Sequence, residues 1–156
     1  MKKNKFTKID SILSIECTRG NVYCQNKKKA LEIISEIAAK KLKITPKIIY
    51  NAVVTREKMG STGIGNGIAI PHGTIQINIP QETIGVFIRL IQPIFFDSID
   101  NQPVDLLFSI LISKKTLNRN LYKLSLIAQH LSNKKLYRLL RCTHNNERLY
   151  KIITEK

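Results

Sequence analysis

The chain has 156 residues, 43% hydrophobic and 24% charged, enough for one domain with its own core and no need of disulfides or a structural metal. Its longest apolar run, Leu106 to Ile112, is broken by Ser109 and falls far short of the ~20 residues of a membrane span. Lysine and arginine total 26 against 11 acidic residues, a formal charge of +15, but aromatics are only 6% and no basic stripe interleaves with them. The charge therefore reads as a compositional bias shared with the abundant Ile and Asn, not as a nucleic-acid footprint.

Residues 1–11, beginning MKKNKFTKID, read as a basic segment ahead of a domain at 12–154. No apolar stretch follows those lysines, so no secretory leader is expected, and a cytoplasmic protein is. The odd set of Cys17, Cys24 and Cys142 has no C-x-x-C spacing and reads as free thiols. Loose alternation over 12–25 suggests a short element, then a strand near Arg19–Cys24. Asn26 can cap a helix over Lys27–Leu42, whose Ala30, Ile34, Ile37 and Ala38 recur at helical spacing. Thr45-Pro46 starts a second helix, running to about Met59 with Ile49, Ala52 and Val53 inward and Gly60 as its stop.

Residues 60–67, GSTGIGNG, read as a glycine loop, followed by a short strand Ile68–Ile70 that Pro71 ends. Thr83–Ile91 is β-branched and apolar, a strand. Val104–Ile112 reads as a strand buried on both faces. Leu117, Leu121, Leu124, Ala128 and Leu131 predict one helix over 117–132, and two short helices follow near 133–141 and 146–154. Strands alternating with helices predict an α/β or α+β domain on a central sheet.

The chemistry concentrates between Thr55 and Gly73, TREKMGSTGIGNGIAIPHG. No lysine follows the glycines, and they open a strand instead of a helix, so neither a Walker A loop nor a dinucleotide fingerprint fits. What remains is a backbone able to approach an anion at Gly63, Gly65 and Gly67, hydroxyls at Ser61 and Thr62, and a planar donor fork at Arg56. His72 adds a nitrogen nucleophile, with Pro71 stiffening the chain before it and Gly73 leaving room for a partner after it. These are the parts of a phosphohistidine site; a plain surface histidine in a glycine-rich turn is the alternative. Ile64, Ile68 and Ile70 are candidates for an apolar rim. Glu57 reads as a helix-surface residue, His130 as solvent-facing or a helix C-terminal charge, and His144 as a loop residue. Asp97, Asp100 and Asp105 read as turn and cap residues because the run lacks the glycine and terminal glutamate of a calcium loop.

The same stretch resembles the enzyme IIA components of the bacterial phosphoenolpyruvate-dependent phosphotransferase system, in the fructose/mannitol/nitrogen class. KKKALEIISEIAAK at 27–40, GVFIRL at 85–90, FDSIDNQPVDLLF at 96–108 and LSLIAQHL at 124–131 extend the resemblance from about Ile12 to Ile153, nearest the nitrogen regulatory branch. It implies a mixed parallel and antiparallel sheet flanked by helices on both faces. It implies that His72 takes a phosphoryl group on Nε2 from a histidine phosphocarrier protein, with Arg56 beside it, and without cofactor or metal. It also implies regulatory partners such as potassium-transport regulators. The family places a second histidine in a His-Leu-x-x-Leu pattern; Asn120 stands there in Asn120-Leu121-Tyr122-Lys123-Leu124. An amide can hydrogen-bond but does not titrate near neutrality. Two rival readings share the residues: a sugar-specific enzyme IIA of a fructose or mannitol permease, and a basic interaction module that no longer transfers.

Overall fold

The computed structural model describes residues 9–76, 79 and 81–155, so residues 1–8 of the basic segment lie outside the described residues. Ile9–Ser11 form a short 3-10 turn with Ile9 buried. Strand β1 (Leu13–Val22) begins earlier than the sequence suggests. Its parallel pairing with β5 (Thr83–Ile94) shifts register after Leu13 and again after Arg19. Such irregularities scramble the alternation that marks a strand.

Helix α1 spans Lys27–Leu42 as expected, with Asn26 Oδ1 accepting the Lys29 N–H at 2.9 Å. Helix α2 (Pro46–Glu57) opens on its proline and buries Ile49 and Val53. It ends two residues before Met59. The glycine-rich stretch is not an open loop. It forms strands β2 (Gly63–Gly65) and β3 (Ile68–Ala69), paired antiparallel. Asn66 and Gly67 join them at φ 59° and 78°. Two positive φ values in a two-residue connection, carried by Asn-Gly, are the preferred hairpin turn.

Strand β6 (Val104–Ser113) carries the sheet's centre. It pairs antiparallel with β5 on one side. On the other side it pairs in parallel with β3 (Ile68↔Leu106, Ala69↔Leu107) and then with β4, His72–Ile75 (His72↔Ile110 to Ile75↔Ser113). The chain thus runs along one edge of β6 with a single break at Ile70-Pro71. Sheet order is β1-β5-β6-β3-β2. Leu106 to Leu111 on β6 and Ile84 to Leu90 on β5 are buried throughout, Ser109 included and Arg89 at the limit of burial. Both sheet faces are therefore covered, as a mixed sheet between helical layers requires. Helices α1 and α2 pack on β5 and β4, and α6 (Asn146–Thr154) packs on β1 beside α5 (Lys134–Arg141).

The predicted helix over 117–132 is broken into α3 (Leu117–Asn120) and α4 (Tyr122–Leu131). Asn120 Nδ2 donates to Thr116 O at 2.8 Å, the carbonyl one turn back. A side chain that takes that carbonyl competes with the helix ladder and bends it. Leu121, expected on the buried stripe, is 45% exposed, and Ile127 is buried in its stead.

Candidate functional site

Close backbone packing creates the central cleft. A Cβ on Gly73 would lie 2.9–3.0 Å from Ala52 C, Ala52 Cβ and Val53 N. Only a glycine lets α2 rest directly on β4. The room that Gly73 leaves is filled by α2, not kept for a partner. Beside this contact opens a cleft of about 600 Å³. One wall is α2 and the turn after it, with Ile48, Asn51, Thr55, Arg56 and Met59; the floor is His72, Thr74 and Gln76; Ile112, Leu117 and Leu121 complete it. Asn51 and Thr55, not among the sequence candidates, were legible in principle, since they share the helical face of Ile48, Ala52 and Arg56.

His72 Nδ1 lies 2.9 Å from Ile70 O. A carbonyl only accepts, so Nδ1 carries the hydrogen and Nε2 keeps its lone pair. The break at Ile70-Pro71 makes this possible by turning the Ile70 carbonyl from the β6 ladder toward the ring. Burial holds the His72 pKa below the usual histidine range; the Ile70 carbonyl opposes this, Arg56 adds to it, and Glu57 opposes it last. The ring is therefore neutral at pH 7, the state in which imidazole is a nucleophile. Arg56 lines the same cleft and donates from Nη1 to Gly60 O at 2.8 Å. That bond fixes one edge of its donor fork.

Other predicted site residues lie elsewhere. Ser61 Oγ donates to Phe96 O at 2.8 Å and accepts from Gly63 N at 3.1 Å. Thr62 is buried and bonded to Glu57 through both its N–H and its hydroxyl. Gly63 packs on Ser98, Gly65 faces Asp100, and Gly67 packs on Arg141 and Asp105. Gly67 O accepts from Asp105 N and Leu106 N at 3.0 Å. None of these five lines the His72 cleft. The hairpin glycines fit neighbouring chain segments, and the structure does not bring them to His72 as a phosphate nest. The isoleucine rim is likewise corrected: Ile68 and Ile70 are buried, and Ile64 lies outside the cleft. The cleft's exposed apolar residues are Ile48, Met59 and Leu121. Asn120 is 3% exposed and absent from the lining; its amide donates to Glu82 Oε1 at 3.0 Å as well as to Thr116 O. Arg119 also pairs with Glu82, and these bonds lower the Glu82 pKa to about 2, Arg119 first and Asn120 second.

Glu57 is not a surface residue. It is buried, its Oε2 accepting from Thr62 N at 2.8 Å and pairing with Lys27 Nζ at 2.9 Å, and its Oε1 accepting from Thr62 Oγ1 at 2.7 Å. One clue was available: a carboxylate in the last turn of a helix opposes the helix dipole, so its place there calls for a specific partner.

His130, half-buried in the last turn of α4, joins α4 to α6 through Nε2 and Ile153 O at 2.8 Å, so it is tied to α6 and does not simply face solvent. His144 is an exposed turn residue beside the Arg89 guanidinium. Asp100 accepts from Asn66 N and Gln102 N, and Asp105 pairs with Arg141. Cys17 and Cys24 are buried and Cys142 exposed, all free. Among the described residues no helix is long and apolar enough to cross a membrane.

Comparison with known proteins gives the family of the chain. The family model for the phosphoenolpyruvate-dependent sugar phosphotransferase system, EIIA 2, matches residues 11–156. The chain is 53% identical over 147 residues to a nitrogen regulatory protein of Escherichia coli, covering 94% of this chain and 90% of that one. It is 36% identical over 149 residues to one of Pseudomonas aeruginosa, covering 95% and 96%. The solved nitrogen regulatory protein IIA-Ntr of Neisseria meningitidis superposes with a TM-score of 0.85 at 29% identity, over 94% of this chain and 99% of that one. The IIA mannitol structure of Escherichia coli, 20% identical with a TM-score of 0.73 over 90% and 97%, shares the fold. With family model, sequence relatives and fold in agreement, the chain belongs to the EIIA 2 family of the phosphoenolpyruvate-dependent phosphotransferase system.

Proposed function

We propose that this protein is a nitrogen regulatory phosphocarrier, in which His72 Nε2 accepts a phosphoryl group from the phosphohistidine of a small phosphocarrier protein. The observation that carries this reading is the 2.9 Å contact between His72 Nδ1 and Ile70 O, which leaves Nε2 as the nucleophile. In the transfer, the donor's N–P bond breaks and a N–P bond to Nε2 forms. The donor nitrogen recovers the bonding pair. The Nδ1 proton stays on His72, and the Ile70 carbonyl stabilises the positive charge that grows on the ring. Arg56 faces the phosphoryl oxygens. Transfer between two imidazoles needs little covalent help, so positioning and charge stabilisation carry the rate. No cofactor or metal takes part.

Similarity to nitrogen regulatory proteins at 53% identity over 94% of the chain supports a regulatory output, in which the phosphorylation state is read by targets such as potassium-transport regulators in the cytoplasm. The protein turns over no small molecule of its own. Incubation with labelled phosphoenolpyruvate and the upstream phosphocarriers tests the reading. We expect label on the wild type and none on His72→Ala. Label retained by a folded His72→Ala would overturn the assignment, and rapid drainage of label into a fructose or mannitol permease domain would favour a sugar-serving role. No label on the wild type, with salt-steep binding to duplex DNA, would favour a basic interaction module.

A further inference from the structure

Resting on the reading of His72 as the phosphoryl acceptor, we propose that Glu57 is a positioning residue for both His72 and Arg56. Two chains of hydrogen bonds start from its carboxylate. Along the first, Glu57 Oε2 accepts from Thr62 N at 2.8 Å, Thr62 O accepts from Ile70 N at 3.0 Å, and Ile70 O accepts from His72 Nδ1 at 2.9 Å. Each link runs through a single residue, so the carboxylate fixes the peptide that sets the tautomer of the nucleophile. Along the second, Glu57 anchors Thr62 and so closes the turn 57–62, whose Gly60 carbonyl accepts from Arg56 Nη1 at 2.8 Å. The guanidinium that faces the phosphoryl group is held by a turn that Glu57 closes.

The carboxylate itself is immobilised. Lys27 Nζ, on α1, pairs with it at 2.9 Å and also reaches Phe96 O at 3.3 Å, with the Phe96 ring 4.3 Å from the ammonium. Ser61 Oγ donates to the same Phe96 carbonyl. One carboxylate thus ties α1, α2, the hairpin entry and, through Lys27, the segment that follows β5 into the support of the cleft. Glu57 does not line the cleft and touches no reacting atom. A buried charge held by its hydrogen bonds and one cation is costly to leave half-satisfied, so its removal is felt at each partner.

The test is Glu57→Gln, which keeps shape but loses the charge and gives up an acceptor. Two donors are used: the phosphocarrier, and a small phosphoramidate that needs no protein docking. We expect transfer from both to fall about tenfold or more. In unphosphorylated protein, 15N spectra of the His72 ring should show a mixture of tautomers where the wild type shows one, and Glu57→Asp should recover part of the rate. Thr62→Val, which removes only the hydroxyl arm, should show the same changes at smaller size, and it decides the matter if Glu57→Gln does not fold. A folded Glu57→Gln, or Thr62→Val in its place, with wild-type rates and a wild-type ring spectrum would overturn the proposal. The ring spectrum needs no phosphorylation. If the wild type accepts no phosphate at all, the phosphocarrier reading fails, while an altered or unaltered spectrum still decides whether Glu57 sets the ring.

Discussion

The α2 wall of the His72 cleft sits backbone against backbone on β4, whereas the α3–α4 wall reaches the cleft only through Leu117 and Leu121. The first wall is fixed from inside, by a glycine with no room for a methyl group and by the buried Glu57 carboxylate. The second is tied at the surface, where exposed Glu82 gathers Arg119 and Asn120. Precision therefore belongs to the side that presents Arg56. The other side is a partly exposed apolar flank, with no polar side chain among its described residues turned into the cleft. Substitutions on the two walls should differ accordingly.

The largest effect is expected at Gly73. An added methyl group meets α2 backbone at 2.9–3.0 Å, which no rotamer relieves. Overpacking of this kind costs about 1–3 kcal/mol, and it moves the wall that carries Arg56. Urea denaturation of Gly73→Ala should show that loss, with transfer reduced more than the stability loss alone explains. Wild-type stability and rate together would mean that α2 is not seated by this contact.

Arg56 comes next. Arg56→Lys keeps the charge but loses the planar fork, so we expect transfer to fall about tenfold while stability stays within ~0.5 kcal/mol. The same residue separates geometry from charge in the pH dependence. The native ring resists protonation, so between its lowered pKa and the unfolded value of ~6.5 the unfolded chain binds more protons. Stability then falls as pH drops through that window, and transfer persists below pH ~6.5. Arg56→Gln removes one of the lowering influences and should raise the His72 pKa; Arg56→Lys should not. An NMR titration of the ring in the three proteins checks this.

The smallest effect is expected on the second wall. A histidine at 120 meets the Glu82 carboxylate and the Thr116 carbonyl rather than the His72 ring, so Asn120→His should change transfer by less than about threefold at any pH between 6 and 8. A gain that grows as pH falls would show that position 120 reaches the phosphoryl group and that the two walls are more alike than their packing implies.

Local signals made much of the fold legible. Asn26 and Thr45-Pro46 mark helix starts that the structure keeps, and the apolar run at 104–112 is the doubly buried β6. The break at Leu121 was hidden because the leucine spacing stays helical through it; the amide of Asn120, not the hydrophobic pattern, bends the chain. The glycine stretch was misread for the opposite reason. Its chemistry suggested an anion nest, while the Asn66-Gly67 dipeptide and the period-2 glycines spelled a hairpin. Of the residues singled out by type and motif, the structure brings His72 and Arg56 into one cleft. Glu57 left only the faint clue of a carboxylate against the helix dipole, because a polar residue at a helix end reads as surface until the chain is seen folding back over it at Thr62.

The most direct test of the site is to locate the phosphate. After phosphorylation by the upstream phosphocarriers, mass spectrometry and 15N-resolved NMR should find one acid-labile, base-stable phosphate on Nε2 of His72, with Nδ1 still protonated against Ile70. Phosphate on Ser61, Thr62 or His130, or on Nδ1 of His72, would contradict it.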